Sequence, residues 1–278
     1  VLIRFYSQKL TESWGQPVIV DNRGGGNTLI GTEALAKSPP DGHTILLTLN
    51  THVLLPLLLP TPYDGIKDFS AIATFASTEQ VLVAHLSVPA NNLRELIALA
   101  KSRPGQLNYA SSGTGTTNHL AGESFNLTAG VKIQHIPYKG GGPALTDLLA
   151  GQVQLHFNVP INLIHNIKSG KIKAIAVSGE KRLSSLPQVP TFAEAGLPGF
   201  ESKVSFWILA PAGTPRPIIN KLSSEFAKIS AMPDIQEKLG SLGLEPFISN
   251  ADQLAALMKQ ETAKFAKIVK SANIKFEN

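Results

Sequence analysis

Apolar and polar positions alternate along this chain in two rhythms, one near 3.6 residues and one of short continuous apolar runs. Leu2, Tyr6, Leu10 and Trp14 recur near helical spacing with no capping residue ahead of them. This predicts a helix already under way at residue 2, with a strand, its loop and a signal peptide upstream of the sequence given. Pro17-Val18-Ile19-Val20 then reads as a short buried strand. Asn22-Arg23-Gly24-Gly25-Gly26-Asn27 reads as a loop into a helix carrying Leu29, Ile30, Ala34 and Leu35. Pro39-Pro40-Asp41-Gly42 stops that helix, and the apolar, β-branched run over 43–49 predicts the next strand. Downstream, strands are predicted over 81–86, 107–110, 132–136, 153–157 and 173–177. Helices are predicted over 93–102, 118–129, 144–150 and 163–168, and two longer ones over 218–231 and 251–270. Regular βα alternation predicts parallel sheet.

No repeat, low-complexity tract or flexible linker interrupts the pattern, so two domains would have to be joined by ordered crossing strands. Segments 80–87 and 204–210 fit that role. The expected organisation is an outer domain of residues 1–80 plus 204–278, with a second domain of residues 81–203 inserted and a cleft between them.

Composition narrows the chemistry. A hydrophobic share of 43% with 16% charged residues is that of a folding chain, not a disordered one. The absence of cysteine removes disulfides, thiolate metal sites and cysteine nucleophiles. A net charge of +5 suits an anionic ligand, but the lysines are spread out and form no stripe for nucleic acid. The longest apolar stretch, around Val53–Leu59, is broken by Pro56 and falls short of the ~20 residues that span a bilayer.

Two glycine loops carry the candidate chemistry. Residues Ser111, Ser112, Gly113, Thr114, Gly115 and Thr116 link a predicted strand to a predicted helix, which aims backbone N–H groups and hydroxyls at a positive helix end. The loop lacks the Gly-Lys-Ser/Thr of a Walker loop, and Asn118 stands where a dinucleotide fingerprint needs glycine. A serine-rich turn that merely caps the helix is the plainer alternative. Pro137-Tyr138-Lys139-Gly140-Gly141-Gly142-Pro143 also follows a strand, so both loops could face one cleft. Tyr138 could then cover a ligand and hydrogen-bond it. Asn158 could donate to a carboxylate or cap the helix that follows. Asn50 and His52 follow a predicted strand and are further candidates, although a lone histidine is more often structural. Arg23 with its glycines could grip an anion or serve the backbone alone. Ser178-Gly179-Glu180-Lys181 matches Ser-x-x-Lys without its companion motifs and reads as a polar turn.

Motifs in series resemble the receptors of tripartite tricarboxylate transporters, the Bug family. They are Pro17 to Gly26 with Asp41-Gly42, Tyr63-Asp64-Gly65-Ile66-Lys67-Asp68-Phe69, Asn108 to Thr116, Pro137-Tyr138-Lys139-Gly140, Ala144 to Gly151, Leu186-Pro187-Gln188-Val189-Pro190-Thr191, Glu194-Ala195-Gly196 and Ala210-Pro211-Ala212-Gly213-Thr214-Pro215. The resemblance runs nearly end to end. It implies a periplasmic solute-binding protein of the type II-like, Venus-flytrap α/β class: two domains, each a mainly parallel sheet flanked by helices, joined by two crossing hinge strands. It also implies a monomer that uses no cofactor or metal and delivers a small carboxylate to membrane permease subunits. Of two ligand loops implied by the family, one matches Ser111-Ser112-Gly113-Thr114-Gly115. The other, a Gly-Gly-Thr-Asp-like loop after a first strand, lies ahead of residue 1. Asn158 stands where the family often has aspartate, which removes a partner for an ammonium group and leaves dicarboxylates, tricarboxylates and aromatic acids open.

Two other readings remain at this point. An α/β enzyme for an anionic metabolite would use Ser111 or Ser112 as nucleophile and His119 or His135 as base, and would show a buried base within hydrogen-bond reach of either serine. A degenerate receptor kept as a sensing module is the third.

Overall fold

The structure is a computed structural model that describes residues 2–23 and 28–274; the glycine loop predicted at 24–27 lies outside the described residues. The chain runs α1 (Leu2–Trp14), α2 (Leu29–Ala36), β1 (Leu46–Leu49), a 3-10 turn (Asn50–Val53), α3 (Leu55–Leu58), β2 (Phe69–Glu79) and β3 (Val81–Ala84). It continues through α4 (Leu93–Ser102), β4 (Asn108–Ser111), α5 (Thr117–Ala129), β5 (Gln134–Pro137), α6 (Gly141–Leu149), β6 (Leu155–Asn158), α7 (Pro160–Lys168) and β7 (Lys173–Val177). The last elements are β8 (Lys203–Pro211), α8 (Arg216–Ser230), α9 (Pro233–Ser241), β9 (Glu245–Ser249) and α10 (Ala251–Ser271). Among the described residues no helix is long and apolar enough to cross a membrane.

Two compact units emerge. One comprises residues 1–77, 205–239 and 245–266, the other 78–204, 240–244 and 267–278. The first holds a four-stranded sheet in the order β1-β8-β2-β9, the second a five-stranded sheet in the order β5-β4-β6-β3-β7. Both sheets are flanked by helices, but pairing is more mixed than βα alternation predicts. β4 runs parallel to β5 and β6, whereas β3 is antiparallel to β6 and β7. In the first unit β1 is antiparallel to β8, and β2 to β9. The physical reason is the long β2, which the sequence reading missed: it passes straight into β3 through Gln80 with no helix between, so β3 enters the second sheet without a crossover. Pro17–Val20, predicted as a strand, forms no regular element and, among the described residues, belongs to no sheet.

The second unit is buried on both faces of its sheet, as a strand covered by helices on either side demands. Leu82 and Ala84 of β3 join Phe125, Phe157, Phe192 and Phe200 on one face, with Phe192 and Phe200 ring centroids 4.2 Å apart. Val81 and Val83 join Ala110, Leu148, Leu163 and Val177 on the other. Helix starts follow local chemistry. At α4, Asn92 Oδ1 accepts from Glu95 N at 2.9 Å while the Glu95 carboxylate accepts from Asn91 N at 2.7 Å. Asn250 and Gln253 make the same reciprocal pair ahead of α10. In the first unit Tyr6 is buried against Phe75 and Phe226 and bonds Ser230 at 2.9 Å, fastening α1 to α8.

Candidate functional site

Three parallel neighbours, β5, β4 and β6, end at one edge of the second sheet, and α6, α5 and α7 start directly after them. That edge is where an open α/β sheet presents helix N-termini to a ligand. The starting residues carry little capping of their own. Thr116 is the N-cap of α5, yet its hydroxyl donates to Gly113 O at 2.7 Å and leaves the first N–H groups of the helix without a side-chain acceptor. Gly140 heads α6 with no side chain at all, and Val159 heads α7 with none that bonds. Helix ends left open in this way favour an anion.

The six loop candidates sort by burial. Ser111, Gly113 and Gly115 point inward, while Ser112, Thr114 and Thr116 are half-exposed. The turn is held by its own bonds: Gly113 N donates to Ser111 Oγ at 3.1 Å, and Gly115 N to His119 Nδ1 at 3.1 Å. Gly113 at φ 132° and Gly115 at φ 78° occupy backbone conformations that a side chain would strain. Ser112 donates its single proton to Asn118 Oδ1 at 3.0 Å, and the Asn118 amide donates onward to the Phe157 carbonyl. An incoming carboxylate therefore meets backbone N–H groups first, and hydroxyl protons only if those internal bonds rearrange.

The second loop closes on the same edge. Tyr138 N donates to Ser111 O at 3.1 Å and Gly140 N to Ser112 O at 3.2 Å. A methyl group added at Gly141 would lie 3.3 Å from Ser112 Oγ and 3.7 Å from Asn158 Nδ2, so three strand ends converge there. Asn158 is buried. Its carbonyl oxygen accepts from Val159 N at 2.8 Å and Asn162 Nδ2 at 3.1 Å, and its amide lies 2.9 Å from His156 Nε2. Tyr138 donates to Asp147 Oδ2 at 2.8 Å, and burial, with that carboxylate next, pushes its phenol up to about 12. The expected hydrogen bond from Tyr138 to a ligand thus competes with Asp147; its half-buried ring is what the edge presents.

Asn50 and His52 belong to the first unit and are taken up inside it. Asn50 donates to Glu261 at 2.9 Å. His52 sits 3.0 Å from the Gly65 carbonyl, packs edge-on to Phe69 at 4.6 Å, and is lowered to about 4 by burial. Arg23 pairs with Asp21 at 2.7 Å on the surface, and the buried Ser178 hydroxyl donates to Ser202 O at 2.7 Å, 24 residues along the chain.

The structure contains the feature an enzyme would need, a buried base on a loop serine, and shows why it does no chemistry. Ser111 Oγ lies 2.6 Å from His135 Nε2. That hydroxyl is 0% exposed and also engages both backbone groups of Gly113, so no substrate reaches it. His135 stacks on His119 at 3.9 Å, and burial lowers it to about 4 and His119 to about 3, leaving a poor base. Tyr109 stacks on the outer side of His135 and donates to Glu123 at 2.6 Å. These groups pack behind the loop as a hydrogen-bonded scaffold. Asn118 and Gly141 are the site residues that sequence reading missed; a polar residue in the first turn of a helix, and a triple glycine read as helix start instead of loop, were the available signals.

Comparison with known proteins agrees with this architecture. The family model for the tripartite tricarboxylate transporter family receptor matches residues 2–274. A protein in the tcbD-tcbE intergenic region of Pseudomonas sp. is 38% identical over 270 residues, covering 96% of this chain and 80% of its own length. Protein BugT of Bordetella pertussis is 36% identical over 281 residues, covering 100% of this chain and 86% of its own. Among solved structures, R. palustris Rpa4515 with adipate superposes with a TM-score of 0.92 at 33% identity, covering 99% of this chain and 92% of that one. MatC from Rhodopseudomonas palustris with bound malate gives 0.85 at 29% identity, covering 96% and 93%. The chain belongs to the tripartite tricarboxylate transporter receptor family, whose members are periplasmic solute-binding receptors and not enzymes.

Proposed function

We propose that this receptor captures a small dicarboxylate at the β5-β4-β6 edge and passes it, as a periplasmic monomer, to the membrane permease of a tripartite tricarboxylate transporter. The observation that carries this reading is the convergence of α5 and α6, neither capped by a side chain, around Ser112, Gly141 and Asn158. One carboxylate meets the N–H groups after Thr116 and Gly140, where the helix dipoles favour negative charge without a buried cation. Ser112, Thr114 and Thr116 border that position, with the Tyr138 ring beside it. Ser111, Gly113 and Gly115 shape the turn from behind, and Asn158 offers an amide. Adipate and malate in two solved relatives are both dicarboxylates, which supports the ligand class.

A thermal-shift screen against C4–C8 dicarboxylates, tricarboxylates, aromatic acids and acidic amino acids tests the proposal. Binding to the native state alone adds about 2.7 kcal/mol at a hundredfold excess over Kd, so one acid class should raise the melting point saturably. No shift with any acid would sink the reading.

A further inference from the structure

Strand β6 turns His156 and Asn158 to one face of its sheet and Leu155 and Phe157 to the other, where both apolar side chains enter the phenylalanine-rich core. His156 is 0% exposed, and each of its ring nitrogens has a partner. Nδ1 lies 2.8 Å from the Ala110 carbonyl oxygen, and Nε2 lies 2.9 Å from the Asn158 amide nitrogen. A carbonyl only accepts and an amide nitrogen only donates, so the imidazole is the neutral tautomer with its proton on Nδ1 and its lone pair on Nε2. Burial agrees, holding the ring down at about 4.

The direction of the Asn158 amide is thereby fixed. Its oxygen accepts from Val159 N at 2.8 Å and Asn162 Nδ2 at 3.1 Å, and its nitrogen gives one proton to His156. Turned over, the amide would set its oxygen against the Nε2 lone pair and its nitrogen against the Val159 N–H, losing both bonds outright. A second amide proton remains. Outside α6 itself, the space that a side chain at Gly141 would fill has only Ser112 Oγ at 3.3 Å and Asn158 Nδ2 at 3.7 Å within 4 Å. The Asn118 amide, by contrast, is engaged within the fold, its oxygen accepting from Ser112 and its nitrogen donating to the Phe157 carbonyl. We infer that His156 is a positioning residue that makes Asn158 a donor-only contact, so that the site takes a ligand bearing an ionised carboxylate at that point and rejects one bearing an ammonium group. This rests on the acid-capturing edge proposed above and adds a device that selects among acids: an ammonium group there would face an N–H with no amide oxygen able to turn toward it.

The test is nitrogen-15 NMR of the histidine rings and side-chain amides of the full chain, with titrations of succinate against aspartate and of adipate against 2-aminoadipate, pairs that differ by one ammonium group. The wild-type ring should carry its proton on Nδ1, and the unsubstituted acid that binds should bind tighter than its amino counterpart and shift the Asn158 side-chain amide together with the loop amides. His156→Leu, which removes the acceptor, should weaken that acid about tenfold and narrow its margin over the amino acid. His156→Gln, whose side-chain oxygen can accept from Asn158, should recover both. A role in stability alone would lower the melting point of the Leu variant and leave affinity and margin as they were, which overturns the inference. A proton found on Nε2 in the wild-type protein overturns it without any variant having to fold, and so does equal affinity for both members of a pair. Saturable acid binding that moves the loop amides and leaves the Asn158 side chain unmoved overturns this inference alone, whereas no saturable shift anywhere fells acid capture and this inference with it.

Discussion

Pro17–Val20 and Asn108–Ser111 are alike in the sequence: each reads as a short strand leading through a glycine loop into a helix. Only the second is a strand. β4 lies between β5 and β6, with its backbone paired on both sides and Tyr109 and Ala110 buried. Segment 17–20 has three β-branched residues after Pro17 and, among the described residues, no neighbour in a sheet. The comparison teaches that β-propensity describes fitness for a paired, packed surface, and that the neighbour decides whether it is realised.

The largest effect that would sharpen the contrast is acidification. Burial lowers His119, His135 and His156 in the second unit to about 3, 4 and 4, and His52 in the first to about 4. Below the ordinary value of 6.5 the unfolded chain takes up protons that these folded imidazoles refuse. Stability is therefore fully present above about pH 6.5 and is lost as pH falls toward their folded values, at up to roughly 1.4 kcal/mol per pH unit for each histidine. Glu123, raised mainly by burial, acts in the opposite direction as it protonates. Denaturant melts between pH 7 and 4.5, followed by exchange, should show the second unit losing protection more steeply than the first. Equal loss in both would break the contrast.

Next in size is the contact that seats α5 on β4. A methyl group at Gly122 would lie 2.2 Å from the Tyr109 ring, which is buried and tethered to Glu123. Gly122→Val should cost about 3 kcal/mol or more, read as a lower urea midpoint. Asn118→Ala should cost roughly 1–3 kcal/mol by removing the Phe157 carbonyl's side-chain donor, and should tighten acid binding by freeing the Ser112 hydroxyl proton. An Asn118 variant with wild-type affinity would separate the site from that bond. The smallest effect belongs to exposed Ile19: Ile19→Thr should change stability by less than about 0.5 kcal/mol.

Much of the second unit was legible in advance because its signals are local. The 93–102 helix, with Asn92 and Glu95 at its start, and the 173–177 strand appear at their predicted bounds. The helix expected from 144 begins instead at Gly141, since glycine propensity is overridden once Gly140 N bonds Ser112 O and Gly141 lies against Ser112 and Asn158. The unbroken run of β2 into β3 was hidden because Phe69–Glu79 mixes Ser, Ala and Thr with its apolar residues, and burial there comes from distant partners such as β9. Ser111 was read as the first residue of the loop but is the last of β4, and its pairing with His135, 24 residues away, is tertiary and leaves no local trace. His52 follows a strand end in sequence as a ligand residue might; only the surrounding Tyr63 and Phe69 reveal its packing role.

The most direct test of the central claim is to titrate adipate, and separately malate, into isotope-labelled protein and follow its backbone amide resonances. The account predicts saturable shifts concentrated at Ser112 to Asn118 and Gly140 to Gly142, with the amides of 18–20 silent. Saturable binding that moves other amides and leaves those two loops unchanged would contradict it.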